Sequence, residues 1–389
     1  MRNKFLLFFI IIFASGCSVG EIQSFTSAAM SKNPSSALKV LAKNRYLYNP
    51  QKLPNDLKKL ANLDKNLEKF IQGIIGSWGK ENVKVPNKKE YVKYMQNYKS
   101  RALIDFDKGI VTVETLDEKT PQDSLKNAIV TTLLLPDDPR AVDLFGSNEV
   151  KLGGTPYLLG EIKDDQNKDI RYQWRAKRYA NILLRDRLKT KTIKNKGHST
   201  KVTYVDIPMV KDHANIRVAK FKPFVQKYAK KFNVSENLIY AIIQTESNFN
   251  QFAVSGAGAI GLMQVVPTSA GRDAYKKVKG KSWTPSRQYL FNAEHNIELG
   301  SAYIKILNED YLKGIYNPIS KEYCVISAYN TGSGNVLKTF NSNRTRAKSI
   351  INSKNPSQVY SILINKLPYT ETRRYLKKVV KHKKLFVNI

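Results

Sequence analysis

The sequence predicts an α+β protein: a mixed α+β domain over residues 51–207, followed by a mainly helical domain over residues 208–389. Three observations carry this. The chain has 389 residues, more than the ~100–200 that one core usually organises. The apolar pattern changes along it. Residues 102–116 (ALIDFDKGIVTVETL) and 201–207 (KVTYVDI) are rich in β-branched residues, whereas beyond Asn215 apolar residues recur every three or four positions. Finally, 42% hydrophobic and 10% aromatic residues are enough for packed cores and argue against global disorder.

Taken in order, the N-terminus reads as an export signal. Arg2 and Lys4 precede an unbroken apolar run, Phe5 to Phe13. The run is too short to span a bilayer, which needs ~20 residues, and suits the core of a signal peptide. Ala14-Ser15-Gly16-Cys17 resembles a bacterial lipobox, with Ala14 where Leu is usual. Residues 1–16 are then a lipoprotein signal, Cys17 carries the lipid, and residues 17–50 form a flexible tether. Ser18, in place of an Asp, favours the outer membrane over the inner. The remaining cysteine, Cys324, lies in the apolar stretch YCVISAY and reads as a small core residue.

In the first domain, Leu60, Leu63, Leu67, Phe70, Ile74 and Trp78 mark one face of an amphipathic helix. Residues 102–116 read as a hairpin turning at Asp107-Lys108-Gly109. A helix starts at Pro121 and ends before Pro136. A β-like stretch covers Tyr157 to Ile162, followed by a polar turn at DDQNKD. Residues 174–189 are helical and 201–207 a strand. The charged residues of this domain read as solvated faces.

In the second domain, Ile216, Phe221, Phe224 or Val225, Tyr228 and Phe232 form an apolar stripe that Asn233 ends. Ser235 is placed to cap the next helix, which runs out near Glu246. Asn292 caps a helix carrying Ile297, Gly300, Ile304, Leu307 and Tyr311 on one face, and the glycine there implies close packing against another helix. Further helices start at Pro318 and Ser320 and at Pro356-Ser357, and Thr370 is placed to cap a last one, ETRRYLKKVVKHKK.

The formal charge is +33, which predicts a polyanionic partner such as nucleic acid, an anionic membrane or acidic wall polymer. The export signal and the lack of a nucleic-acid motif exclude the first. Residues 366–389 hold eight basic residues and one acid.

Residues 242–271 read IIQTESNFNQFAVSGAGAIGLMQVVPTSAG. Glu246 closes an apolar helix. The negative end of the helix dipole and the apolar neighbours Ile242, Ile243 and Phe249 both disfavour its ionised form, which suits a general acid. GAGAIG matches a dinucleotide fingerprint only in spelling, because a helix precedes it and no acid follows at the required spacing. Gly256, Gly258 and Gly261 read instead as turn residues that bring backbone close to a ligand. The four histidines form no metal-ligand pattern, and Glu294, His295 and Glu298 read as a solvated helix face.

Glu246-Ser247, Gly261-Leu262-Met263-Gln264, Ala328-Tyr329-Asn330 and Glu371-x-x-x-Tyr375 occur in that order in the helical domain. This set resembles the lytic murein transglycosylases of the goose-type, lysozyme-like fold. FDKGIVTVETL, PDDPRAVDLF and IRYQWRAKRYANILLRDRLKTK resemble the N-terminal region of a membrane-bound branch of that family. The chain departs locally at Thr331-Gly332-Ser333, where the family often has Gly-Gly or Ala-Gly.

The resemblance implies that residues 208–389 are a catalytic domain acting on peptidoglycan glycan strands. Glu246 would be the acid and then the base, and the products would be 1,6-anhydromuramoyl ends. Ser247 and Gln264 would hydrogen-bond the sugar or orient Glu246. Met263 and Tyr329 would offer apolar faces to the pyranose rings, and Asn330 would bind an acetamido group. Tyr375 would reach Glu246 or the sugar. Glu371 would bind substrate or pair with Arg374 or Lys378. No cofactor or metal is implied. The protein would be an outer-membrane lipoprotein facing the periplasm, and its N-terminal domain could contact other wall proteins. Two rivals stand beside this: a water-using muramidase with Asp273 or Glu294 as second carboxylate, and a non-catalytic wall-binding lipoprotein. Glycoside hydrolysis ordinarily needs two carboxylates. The motif set supplies Glu246 alone as a candidate, which favours the transglycosylase.

Overall fold

The computed structural model describes residues 70–387 except 71, 145, 196, 256 and 257. The expected signal, Cys17, the tether, the helix positions Leu60, Leu63 and Leu67, and Gly256 lie outside the described residues. The chain divides into two compact units. One holds residues up to Val218 together with Phe252–Ala259; the other holds Ala219–Gln251 and residues from Ile260 onward.

The first unit is built on a five-stranded antiparallel sheet: β1 (Glu90–Met95), β2 (Ser100–Asp105), β3 (Ile110–Thr115), β4 (Lys189–Asn195) and β5 (His198–Pro208). Their spatial order is β1-β2-β3-β5-β4. The expected hairpin is β2–β3, with Ala102 opposite Val113. Its turn forms because the Asp105 carboxylate accepts from the amides of Asp107 (3.1 Å) and Lys108 (2.9 Å), and Gly109 takes a φ of 64°. Helices α1 (Pro121–Leu133) and α2 (Gln173–Arg187) match the expected segments, α2 ending just short of 189. Phe70, Ile74 and Trp78 pack with Val92, Tyr94, Ile193 and Val202 in one buried cluster.

Two strands escaped sequence reasoning. β1 (EYVKYM) is buried at five consecutive positions, so it shows no alternation. β4 (KTKTIKN) is a lysine-rich edge strand, the kind of sequence that protects an open edge from pairing. Conversely, Tyr157 to Ile162 is not a strand. It holds one isolated bridge, Leu159–Ile162, with another, Pro136–Pro156, just before it. The turn after it is real: the Asp164 carboxylate accepts from the amides of Gln166 and Lys168, and Asn167 is left-handed.

The expectation of solvated charges is also overturned. Arg101 and Glu114 are 3% and 1% exposed and pair at 2.7 Å, with the Arg101 guanidinium 3.7 Å from the Trp78 ring centre. Arg217 and Glu161 form a second buried pair at 2.8 Å. Lys93 is buried too, its Nζ donating to the carbonyls of Asp143 and Gly146. A charge inside a protein needs such partners. Residue type alone does not reveal them.

The helical part begins with α3 (His213–Phe232), ended by Asn233 at φ 52°. α4 (Glu236–Ser247) follows, with Ser235 at the expected cap position although its side chain makes no capping bond. Next come α5 (Arg272–Lys279), α6 (Arg287–Phe291) and α7 (Ala293–Ile306). α7 is capped by Asn292 as expected. Leu307 and Tyr311 fall in a π-helical turn, Leu307–Tyr311, beyond it, and Tyr311 is 44% exposed. Then come α8 (Pro318–Thr331), α9 (Ser333–Phe340), α10 (Arg344–Asn352), α11 (Pro356–Lys366) and α12 (Thr370–Lys383). Of these, α5, α6, α9 and α10 were not foreseen; each is nine residues or shorter, which leaves little room for a period to show. The Glu294–Glu298 face is not fully solvated either. Glu298 is 3% exposed and pairs with Lys231 at 2.7 Å and Lys279 at 3.1 Å.

Candidate active site

Glu246 sits in the last turn of α4, 5% exposed. The apolar run Leu238 to Ile243 turns its face inward and draws the carboxylate in with it. The helix stops because Asn248 and Phe249 adopt left-handed φ values of 50° and 60°. Phe249 stacks on Phe221, ring centres 6.2 Å apart, which fixes the helix end.

The loop after it is held from two sides. A bridge between Ile260 and Val265 closes it, with reciprocal amide–carbonyl bonds of 3.1 and 3.0 Å. Inside, Gly261 and Gln264 take φ values of 78° and 49°. A Cβ on Gly261 would meet the Leu290 carbonyl at 2.5 Å and the Asn296 side chain, so both backbone and space call for glycine. Asn296, fully buried on α7, donates to the carbonyls of Ile260 and Leu290, and its own carbonyl accepts from the Met263 amide, all at 2.8 Å. From the other side, Ser247 Oγ donates to the Leu262 carbonyl at 2.8 Å and approaches that of Ile243 at 3.1 Å. Gly258 is a turn residue as expected, φ 75°, its amide bonded to the Ser255 carbonyl.

α8 and α12 supply the remaining residues. Tyr329 donates to the Met263 carbonyl at 2.8 Å and meets Tyr303 edge-on at 5.7 Å. Thr372 donates to Asn330 Oδ1 at 2.7 Å. Tyr375 is 6% exposed, and its buried hydroxyl lies within hydrogen-bonding reach of the Glu246 carboxylate without forming a well-aligned bond. Burial first, and then the Glu246 carboxylate, push the Tyr375 hydroxyl well above its ordinary pKa. The same two causes act in the same order on Tyr329. Both phenols therefore stay protonated beside Glu246, as donors.

The structure thus brings Glu246, Tyr329 and Tyr375 together, with Asn330 joined to α12 by Thr372. Two of the other expected residues, Met263 and Ser247, serve the loop. Met263 is fully buried; a Cβ on Gly300 would come within 2.8 Å of its Cβ and Cε. Met263 is therefore loop core rather than a face for a sugar ring, and the close approach at Gly300 is to this loop rather than to another helix. Ser247 is 1% exposed and stitches α4 to the loop. Gln264 is 7% exposed, its amide donating to the Gly261 carbonyl at 3.0 Å. Glu371 is exposed and forms no ion pair with Arg374 or Lys378.

Sequence reasoning passed over Asn296 and Thr372. Each carried a weak signal. Asn296 is a polar residue among the apolar positions of α7, and Thr372 lies three positions before Tyr375 on α12. The two carboxylates considered as a second catalytic group have other partners. Glu294 accepts from Lys227 at 2.7 Å and Tyr228 at 3.0 Å, and the Lys227 bond holds its pKa below the usual range. Asp273 accepts from Tyr311 at 3.4 Å.

Two family models match the chain. Residues 54–220 match the N-terminal domain of membrane-bound lytic murein transglycosylase C, and residues 223–352 match the transglycosylase SLT domain. The membrane-bound lytic murein transglycosylases C of Yersinia pestis and Yersinia pseudotuberculosis are each 43% identical over 311 residues, covering 80% of this chain and 86% of theirs. Among solved structures, lytic transglycosylase Slt of Pseudomonas aeruginosa aligns with 26% identity and a TM-score of 0.32, covering 42% of this chain and 23% of that one. The two family models and the identity across most of both chains place the protein in the membrane-bound lytic murein transglycosylase C family.

Proposed function

We propose that the protein cleaves the glycosidic bond between N-acetylmuramic acid and N-acetylglucosamine in peptidoglycan, with Glu246 as acid and then base. The observation that carries this is a carboxylate, Glu246, 5% exposed and with the phenols of Tyr329 and Tyr375 beside it. In the first step Glu246 passes its proton to the bridging oxygen as the bond from that oxygen to muramoyl C1 breaks. The substrate's own 2-acetamido oxygen can shield the positive charge at C1. In the second step the ionised Glu246 takes the proton of the muramoyl C6 hydroxyl, whose oxygen bonds to C1. The products are a free hydroxyl end and a 1,6-anhydromuramoyl end. Glu246 finishes protonated, and no water is consumed.

A carboxylate left between proton transfers needs donors. Tyr375 and Tyr329 neighbour it, and Tyr375 is the one whose hydroxyl is not already committed to a backbone carbonyl. Thr372 occupies Asn330 Oδ1, which leaves the Asn330 amide hydrogens to meet a sugar acetamido oxygen. Gln264 and Glu371 complete the substrate contacts, and Ser247 and Met263 hold the loop. A muramidase route would need a second carboxylate, and the ion pair of Glu294 with Lys227 argues against that use.

Mass spectrometry of digested strands tests the reading. Anhydro ends, lighter by one water than reducing ends, should appear with the parent and fall about 1,000-fold in rate or more with Glu246→Gln. Reducing ends, or an active Glu246→Gln, would sink it. Anchoring of Cys17 in the outer membrane belongs to the same reading and is supported by Arg2, Lys4, the apolar run and Ala14-Ser15-Gly16-Cys17. Cys17→Ser should leave the membrane fraction; retention there would refute lipid anchoring.

A further inference from the structure

The stretch KKVKGKSWTPSRQYLF, residues 276–291, takes little part in the site above, yet it carries an aromatic cluster. Tyr275 on α5, Trp283 in the following connection and Tyr289 on α6 lie against one another. Ring centres are 4.7 Å apart for Tyr275–Trp283, 5.3 Å for Trp283–Tyr289 and 6.0 Å for Tyr275–Tyr289. His295 on α7 stacks on Tyr289 at 4.1 Å, planes 10° apart. Trp283 is 41% exposed, and Tyr275 and Tyr289 are half-buried. An indole this exposed could be left mobile, whereas here its neighbours hold it in place.

The surroundings are cationic. Between Arg272 and Arg287 lie Lys276, Lys277, Lys279 and Lys281 against one acid, Asp273. Lys277 pairs with Asp310 at 3.2 Å and Lys279 with Glu298 at 3.1 Å. Arg272, Lys276 and Lys281 have no ion pair among the described residues. The cluster also adjoins the site. Leu290 and Asn296, which clamp the loop at Gly261, each follow a ring of the cluster by one position.

We propose that Tyr275, Trp283 and Tyr289, with the unpaired cations beside them, form a second binding site for a peptidoglycan strand that still carries its peptide stems. The proposal rests on the catalytic reading above only for the identity of the strand. Pyranose rings present apolar C–H faces that pack on a fixed indole, and stem carboxylates supply the anions the rim lacks. A strand is favoured over a lipid surface because Trp283 is the one large apolar side chain of residues 272–291 that is more than about a third exposed. Interfacial helices bury a whole apolar face.

The test uses the full chain in mild detergent and three probes: soluble uncrosslinked strands with stems, the same strands after stem removal by an amidase, and phosphatidylglycerol vesicles. Trp283→Ala should weaken binding of stem-bearing strands about tenfold, with Trp283→Tyr retaining most of it. Turnover of the shortest cleavable fragment should stay within about twofold. Lys276→Gln with Lys281→Gln should weaken stem-bearing strands by a larger factor than stripped strands, which keep only the lactyl carboxylate that amide hydrolysis leaves on each muramic acid. Parent-like strand binding by Trp283→Ala, or a loss confined to vesicles, would overturn the proposal. If Trp283→Ala lowers the thermal midpoint, the double lysine variant decides, and its full strand affinity would overturn it equally. Failure of the catalytic reading looks different: Glu246→Gln would still cleave, while strand binding stayed intact.

Discussion

Tyr375 and Cys324 are both buried hydrogen-bearing groups, and their surroundings give them opposite uses. Tyr375 lies beside Glu246, whose charge adds to burial in keeping the phenol protonated. Removing that donor with Tyr375→Phe should lower turnover about tenfold, the equivalent of one hydrogen bond to a charged group, while the thermal midpoint holds. An unchanged rate would remove Tyr375 from the mechanism. Among the described residues no charge lies beside the Cys324 thiol, and burial pushes it up to about 12. Thiolate is the reactive form, and below a raised pKa it is scarce. The native protein should therefore resist iodoacetamide at pH 8 and label fully in denaturant. Rapid native labelling would show an opening that this packing does not contain.

At the scale of elements, the loop 260–265 and α7 act as one piece. Asn296 satisfies two carbonyls and one amide of buried backbone. Asn296→Leu would strand all three, at about 1–3 kcal/mol each before relaxation. We expect a loss of at least about 3 kcal/mol in urea unfolding, with a fall in turnover at temperatures where the chain stays folded. A loss below about 1 kcal/mol would mean the loop has other support. Long periodic elements such as α3, α4 and α12 are legible in the sequence because their burial is one-sided. β1 is not, because burial on both faces erases the alternation that marks a strand. The motif residues Ser247 and Met263 are legible as a spacing, yet their work as loop supports is not. Only the fold shows that the Ser247 hydroxyl meets Leu262 and that Met263 packs on Gly300.

For the whole molecule the dominant quantity is the formal charge of +33. Stem carboxylates and anionic lipid are its expected counterparts, and exposed charges separated by more than about 10 Å are screened at 0.1 M salt. Binding to isolated sacculi should therefore weaken severalfold between about 0.05 and 0.5 M salt. Binding indifferent to salt would place the affinity in neutral sugar contacts.

The sequence by itself determined the class of architecture and the order of the four motifs, whose resemblance to the family makes Glu246 the candidate, because periodicity, glycine placement and motif spacing are local properties of the chain. The tertiary structure decided which motif residues face Glu246 and which stand behind it. It also decided that Asn296 holds the loop 260–265 and that Thr372 bonds Asn330, and that Arg101, Glu114, Glu161 and Arg217 are buried pairs. Those facts depend on partners distant in the chain, such as Met263 and Asn296 or Asn330 and Thr372. No local pattern encodes a hydrogen bond whose two ends meet only after folding.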